Sequence, residues 1–95
     1  MQPVIELLVA NHPGVMARIT NLFSRRAFNL EGILCGPIGD GRESRIFLQV
    51  TEDDRLPRVL KELNGLHDVL GVMLRYDVPA GVFDPRRVGE MKMAS

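Results

Sequence analysis

The residues Asn11, His12, Pro13, Gly14, Val15 and Met16 join an apolar run that ends at Val9 to the start of a helical pattern. Pro13 suits a first helical position, because its missing N–H is no loss there and its φ is already set. Gly14 carries no side chain, so a ligand can approach its backbone. The N–H groups of Gly14, Val15 and Met16 would then point out of the helix start, at the positive end of its dipole. That arrangement receives a small anion such as a carboxylate. Asn11 and His12 stand beside it with side-chain donors and acceptors. The same six residues also make an ordinary strand-to-helix turn, and taken alone they leave both readings open.

Other residues with chemical potential do not assemble. His12, His67 and Cys35 lack metal-ligand spacing. Cys35 falls mid-strand with no histidine set beside it, and it reads as a small apolar residue rather than a nucleophile. Gly36, Gly39 and Gly41 have the composition of a phosphate loop, but a strand pattern follows them where that loop needs a helix. Among the first three strands Phe47 is the single aromatic, too few for stacking RNA bases.

The elements that must position Asn11 to Met16 read as follows. Val4 to Val9 alternates as a strand, with Ile5, Leu7 and Val9 on one face. A helix is predicted from about Pro13 to Ala27, where Val15, Met16, Ile19, Leu22, Phe23 and Ala27 form a buried stripe with Arg18, Asn21 and Arg25 away from it. Asn29 is the expected left-handed residue that ends it. Leu30 to Cys35 is a second strand closed by Gly36-Pro37, and Ile38 to Glu43 carries hairpin-turn residues. Ser44 to Thr51 is a third strand. Asp53 or Asp54 is the expected cap of a second helix with Pro57 in its first turn and Asn64-Gly65 at its end. Val69 to Tyr76 is a fourth strand. The order βαββαβ is a split βαβ, α+β and ferredoxin-like, with two helices on one face of a four-stranded antiparallel sheet. Right-handed crossovers give the spatial order four, one, three, two. The second strand is then an edge with Glu31 its lone charge, open to pairing with another chain. Asn11 and Asn29 fall at opposite ends of such a sheet, and antiparallel pairing of two second strands about a two-fold axis would bring Asn29 of one chain to the Asn11 end of the other. Leu8, Phe47 and Met73 are placed on the open face, a surface suited to docking a protein.

The 95 residues suffice for one domain, read here as residues 1–77, followed by a loose tail at 78–95 whose Val82, Phe83, Val88 and Met91 offer an alternative docking segment. A formal net charge of +0 provides no general attraction to nucleic acid or to an anionic membrane. No signal peptide or membrane span is expected, and one cysteine without an internal partner fits a reducing cytoplasm.

The run Asn11-His12-Pro13-Gly14-Val15-Met16-Ala17-Arg18-Ile19, followed by Leu22 to Ile33, closely resembles the regulatory small subunit of acetohydroxyacid synthase (AHAS), also called acetolactate synthase. The resemblance spans nearly all of Val4 to Tyr76, and the short length is similar to subunits that are little more than one amino-acid-binding ACT domain. It implies a βαββαβ ACT fold and a non-catalytic subunit that binds the large catalytic subunit, raises its activity and confers feedback inhibition by valine. It also implies that thiamine diphosphate, Mg²⁺ and FAD belong to that large subunit, with no cofactor in this chain. The family's effector positions match Asn11, Gly14 and Asn29, with His12, Val15, Met16, Leu30 and Ile33 as implied neighbours. The remaining alternative is an ACT-type amino-acid sensor that controls a different enzyme or a transcription factor.

Overall fold

The computed structural model describes residues 2–84. Its elements are β1 (Val4–Ala10), α1 (Val15–Arg25), β2 (Leu30–Ile38), β3 (Glu43–Val50), α2 (Leu56–Asn64) and β4 (Val69–Arg75). The sheet order is β2-β3-β1-β4 and each neighbouring pair is antiparallel. This is the order that two right-handed split crossovers produce. Ile5, Leu7 and Val9 of β1 and Ile46, Leu48 and Val50 of β3 are fully buried. They pack in one cluster with Val15, Ile19, Leu22 and Phe23 of α1 and Leu56, Val59 and Leu63 of α2. Burial of each such side chain contributes about 1.5–3 kcal/mol.

Several boundaries differ from the sequence reading. Pro13 stands outside α1, and Gly14 is the residue that precedes the helix, with φ 91°. The helix also ends earlier than Ala27, at Arg25, and Ala27 rather than Asn29 holds the left-handed conformation, with φ 49°. The cause is local packing. The Phe28 N–H bonds back to the Phe23 carbonyl at 3.0 Å and the Ala27 N–H to the Ser24 carbonyl at 3.1 Å, while the Phe23 and Phe28 rings meet edge-on at 5.9 Å. This is a Schellman ending with its hydrophobic contact, and the contact selects the register.

β2 continues through Gly36-Pro37 to Ile38. Pro37, opposite Ser44, is tolerated because β2 is an edge strand and the missing N–H faces no neighbour. β3 and β4 lie within one residue of their expected limits. Asp53 serves the turn before α2, where its carboxylate accepts the Arg55 N–H at 2.8 Å, and Arg55 itself occupies the cap position.

The expected loose tail is partly structured. Ala80–Phe83 forms a 3₁₀ turn. Phe83 lies on the open face against Gly32, where a β-carbon would come within 3.0 Å of its ring. The space that Gly32 leaves is what this ring fills. In the same row of the sheet Val4, opposite Gln49, faces away from the helices and is still buried. Residues 85–95, with Val88 and Met91, lie outside the described residues.

Candidate functional site

The segment after β1 is tied to two neighbouring elements. The Ala10 N–H donates to the Asp68 carbonyl at 2.9 Å, which fixes it beside the start of β4. The Asn11 N–H donates to the Arg42 carbonyl at 2.9 Å, and Asn11 Nδ2 donates to the Gly41 carbonyl at 2.7 Å. These two bonds pull the segment across β3 towards the β2–β3 hairpin, hence towards the edge strand. They leave Asn11 Oδ1 with no partner among the described residues. The first helical bond of α1 runs from the Arg18 N–H to the Gly14 carbonyl at 3.0 Å. The N–H groups of Gly14, Met16 and Ala17 bond to nothing among the described residues, and the Val15 N–H reaches the His12 carbonyl at a long 3.5 Å. An open set of donors at a helix start is thereby present.

Beneath that start lies a charge that the sequence reading did not include. Asp68 is 3% exposed. His12 Nε2 is 2.6 Å from its Oδ1 and Arg18 Nη2 is 3.1 Å from its Oδ2. The second contact is an ion pair by distance only. The arginine N–H is not aimed at the oxygen, and the buried Oδ2 accepts no hydrogen bond among the described residues. A buried carboxylate needs compensating charge, and Arg18 supplies it beside the helix start. The Arg18 guanidinium lies directly over Gly14, where an added β-carbon would meet Nη1 at 3.1 Å. Gly14 is favoured by its positive φ, and a β-carbon there would also press on the Arg18 guanidinium. Arg18 lies away from the core, as its place outside the apolar stripe predicts, but its side chain leads back to Gly14. Helical side chains lean back towards the N-terminus, so a residue four positions after Gly14 covers it. Asp68 has no local signal. Its place follows only from β4 lying beside β1.

The other expected site residues are distributed as follows. Met16 is half-buried, whereas the Val15 side chain is buried in the core and offers the site only its backbone. Leu30 pairs with Val50, and Ile38 with Glu43, which in turn faces Ala10. Asn29 and Asn11 are therefore at opposite ends of the sheet, separated by the length of β2, about 26 Å. A bulge at Glu31 shifts the register between Leu30 and Gly32, so Leu30 and Ile33 both face the helix side. Ile33, 43% exposed, and the exposed Cys35 lie on that side beyond the cover of the helices. Asn29 is exposed, and Arg55 fixes the turn before it. Arg55 Nη1 donates to the Arg26 carbonyl at 2.6 Å, and its guanidinium lies 5.3 Å from the Phe28 ring centre. A cation at this end of α1 complements the dipole. A cleft of about 460 Å³ lined by Arg18, Asn21, Ser24, Arg25 and Leu66 runs along α1 away from Gly14.

The family model for the AHAS small subunit-like ACT domain matches residues 5–71. The chain belongs to this family. It is 47% identical over 76 residues to the acetolactate synthase isozyme 1 small subunit of Escherichia coli K12, a match that covers 80% of this chain and 79% of that one. It is 40% identical over 73 residues to a probable acetolactate synthase small subunit of Archaeoglobus fulgidus, covering 76% of this chain and 46% of that one. The crystal structure of the acetolactate synthase small subunit from Thermotoga maritima superposes with a TM-score of 0.72 at 32% identity, over 83% of this chain and 50% of that one. This chain thus matches about half the length of the longer relatives and most of the short one. The matched span of the AHAS small-subunit ACT domain contains Asn11, Gly14, Arg18, Asn29 and Asp68 together. Among the described residues this ACT domain brings no three His, Cys, Asp or Glu side chains together as a metal set. No described helix is long and apolar enough to cross a membrane.

Proposed function

We propose that this AHAS small subunit is a non-catalytic regulatory subunit that binds a branched-chain amino acid, valine first, and thereby controls the large catalytic subunit. In this reading it raises the activity of that subunit and confers feedback inhibition by valine. The carbon–carbon bond-forming chemistry, with its thiamine diphosphate, Mg²⁺ and FAD, belongs to the partner, and the complex works in the cytoplasm. The observation that carries the reading is the start of α1, where open N–H groups meet an arginine over a side-chain-free Gly14. A free amino acid has a carboxylate for that site. Its ammonium can donate to Asn11 Oδ1, and Met16 and Ile33 can enclose its methyl groups.

Two chains are needed to complete the site. We assign Asn29, Leu30 and Ile33 to a second copy, paired antiparallel through β2. The uncovered apolar side of β2 supports this, because an edge with Glu31 as its one charged residue is poorly protected against pairing. Three strand spacings, roughly 14 Å, separate β1 from a partner's β2. The Asn11 bonds to Gly41 and Arg42 already lean the segment across part of that gap.

The decisive experiment assays this chain and its cognate large subunit separately and mixed at matched concentrations. Synthase activity from the large subunit alone, higher activity on mixing and loss of that activity with valine are expected. Turnover by this chain alone, or no change on mixing, refutes the reading. A sensor of another enzyme would leave synthase activity unaltered.

A further inference from the structure

We propose that Arg18 receives the carboxylate of the amino-acid effector and that the buried Asp68 positions it. The inference rests on the effector-site reading above and deepens it, by naming the side chain that recognises the carboxylate and the residue behind it.

Two linked observations carry it. The first is the placement of Arg18. Its guanidinium is held against Gly14, beside the open N–H groups of α1, while the side chain remains 47% exposed. Its donor fork lies 3.1 Å from Asp68 Oδ2 without an aligned hydrogen bond to it, although guanidinium provides five N–H donors. A carboxylate arriving at the helix start would meet backbone donors on one side and this planar fork on the other, the geometry in which arginine outperforms lysine. The second is Asp68. It is almost completely buried, and its Oδ2 faces Arg18 without accepting a hydrogen bond. This oxygen is closed to a ligand's ammonium, so its role is indirect. Its charge cannot be left uncompensated in the interior, which opposes any swing of Arg18 into solvent. Its other oxygen meets His12 at 2.6 Å, and His12 follows Asn11 in the chain. One buried carboxylate thereby orients Arg18 and anchors the segment that carries Asn11.

The test titrates valine and valinamide, in which a neutral amide replaces the carboxylate, into the full chain by calorimetry, with circular dichroism as the fold control. The parent chain is expected to prefer valine. Arg18→Met is expected to weaken valine binding by about 10- to 100-fold, the effect of losing one charge-assisted hydrogen bond. Valinamide binding should change little, so the preference falls by the same factor. Arg18→Lys should recover part of it, and Asp68→Asn, which keeps the shape, should lower it in the same direction. Equal losses for valine and valinamide in Arg18→Met, or an unchanged preference, overturn the assignment of Arg18 while Gly14→Asp still tests the effector site itself. An unchanged preference in folded Asp68→Asn removes Asp68 from the assignment, and if that variant does not fold, Asp68→Ser is read in its place by the same criterion. A parent chain that binds none of valine, leucine and isoleucine overturns both this inference and the reading beneath it.

Discussion

Gly14 concentrates three demands on one residue. Its φ of 91° disfavours any side chain, an added β-carbon would crowd the Arg18 guanidinium at 3.1 Å, and its N–H belongs to the open helix start. Any L-residue there carries backbone strain of about 1–3 kcal/mol. That cost is well within the stability of an ordinary domain, so variants at this position are expected to fold. Asparagine and aspartate share the strain and nearly the same shape, and they differ in charge. Gly14→Asp should place its carboxylate against Arg18 and repel an incoming carboxylate at short range. Valine binding is expected to vanish in Gly14→Asp and to weaken less in Gly14→Asn, as read by calorimetry, with urea denaturation reporting similar destabilisation of both. Equal losses of binding would assign the effect to the backbone rather than to charge.

At the scale of elements, the two ends of α1 are built differently. The start is left open, with no side-chain cap. The end is closed by the Schellman turn, the Phe23–Phe28 contact and Arg55, which stacks on Phe28 and donates to the Arg26 carbonyl. A further tie comes from Arg26 Nε, which donates to Glu62 Oε2 of α2 at 2.9 Å and holds the Glu62 carboxyl below its ordinary range. The open end is where a ligand is proposed to bind. The closed end places Asn29 and starts β2. Ala27 is the strained member of this closure, with φ 49° and a β-carbon. Ala27→Gly removes a conformational penalty of about 1 kcal/mol. A higher urea midpoint at unchanged m-value is the expected outcome. A lower midpoint would show that the methyl group or the chain entropy of glycine outweighs the strain.

At the scale of the whole molecule, one chain holds the two halves of the proposed site too far apart to meet. Asn11 and Asn29 stand at opposite ends of the sheet, as the strand register requires. In the proposed dimer, pairing of two β2 strands about a two-fold axis would reverse one of them and bring the halves together twice. This makes a specific prediction about mixtures. Asn11→Ala and Asn29→Ala chains should each bind valine poorly as homodimers. A mixed dimer would carry both lesions in one site and none in the other, so random mixing of equal amounts should restore binding to about a quarter of all sites, half of those in mixed dimers. Calorimetric titration of the mixture, with mixed dimers verified by native mass spectrometry, reads this directly. Mixed dimers without recovered binding would rule out a site shared in this way.

The order of elements, the spatial order of the strands and the buried stripes were legible in the sequence, apart from Ala27, which is exposed beyond the end of α1, because apolar residues repeat with the period of the element that buries them and crossovers have one hand. Ile5, Leu7 and Val9 could face the core in only one way, and the turn at Asn11 to Met16 announced itself through Pro13 and Gly14. The open donors at the helix start followed from those same residues. What the sequence left undecided was every feature set by which side chains and strands come into contact. Phe28 against Phe23 shifted the left-handed position from Asn29 to Ala27. The gap above Gly32 was filled by Phe83, fifty-one positions later in the chain. The bulge at Glu31 put Leu30 and Ile33 on one face, against the alternation of the strand. Asp68 became part of the candidate site only through the register of β4 on β1. Local periodicity reports which way a residue faces, because that depends on its own backbone geometry. Which side chain it meets there depends on packing between elements, and a buried charge such as Asp68 acquires its partners only when those elements have come together.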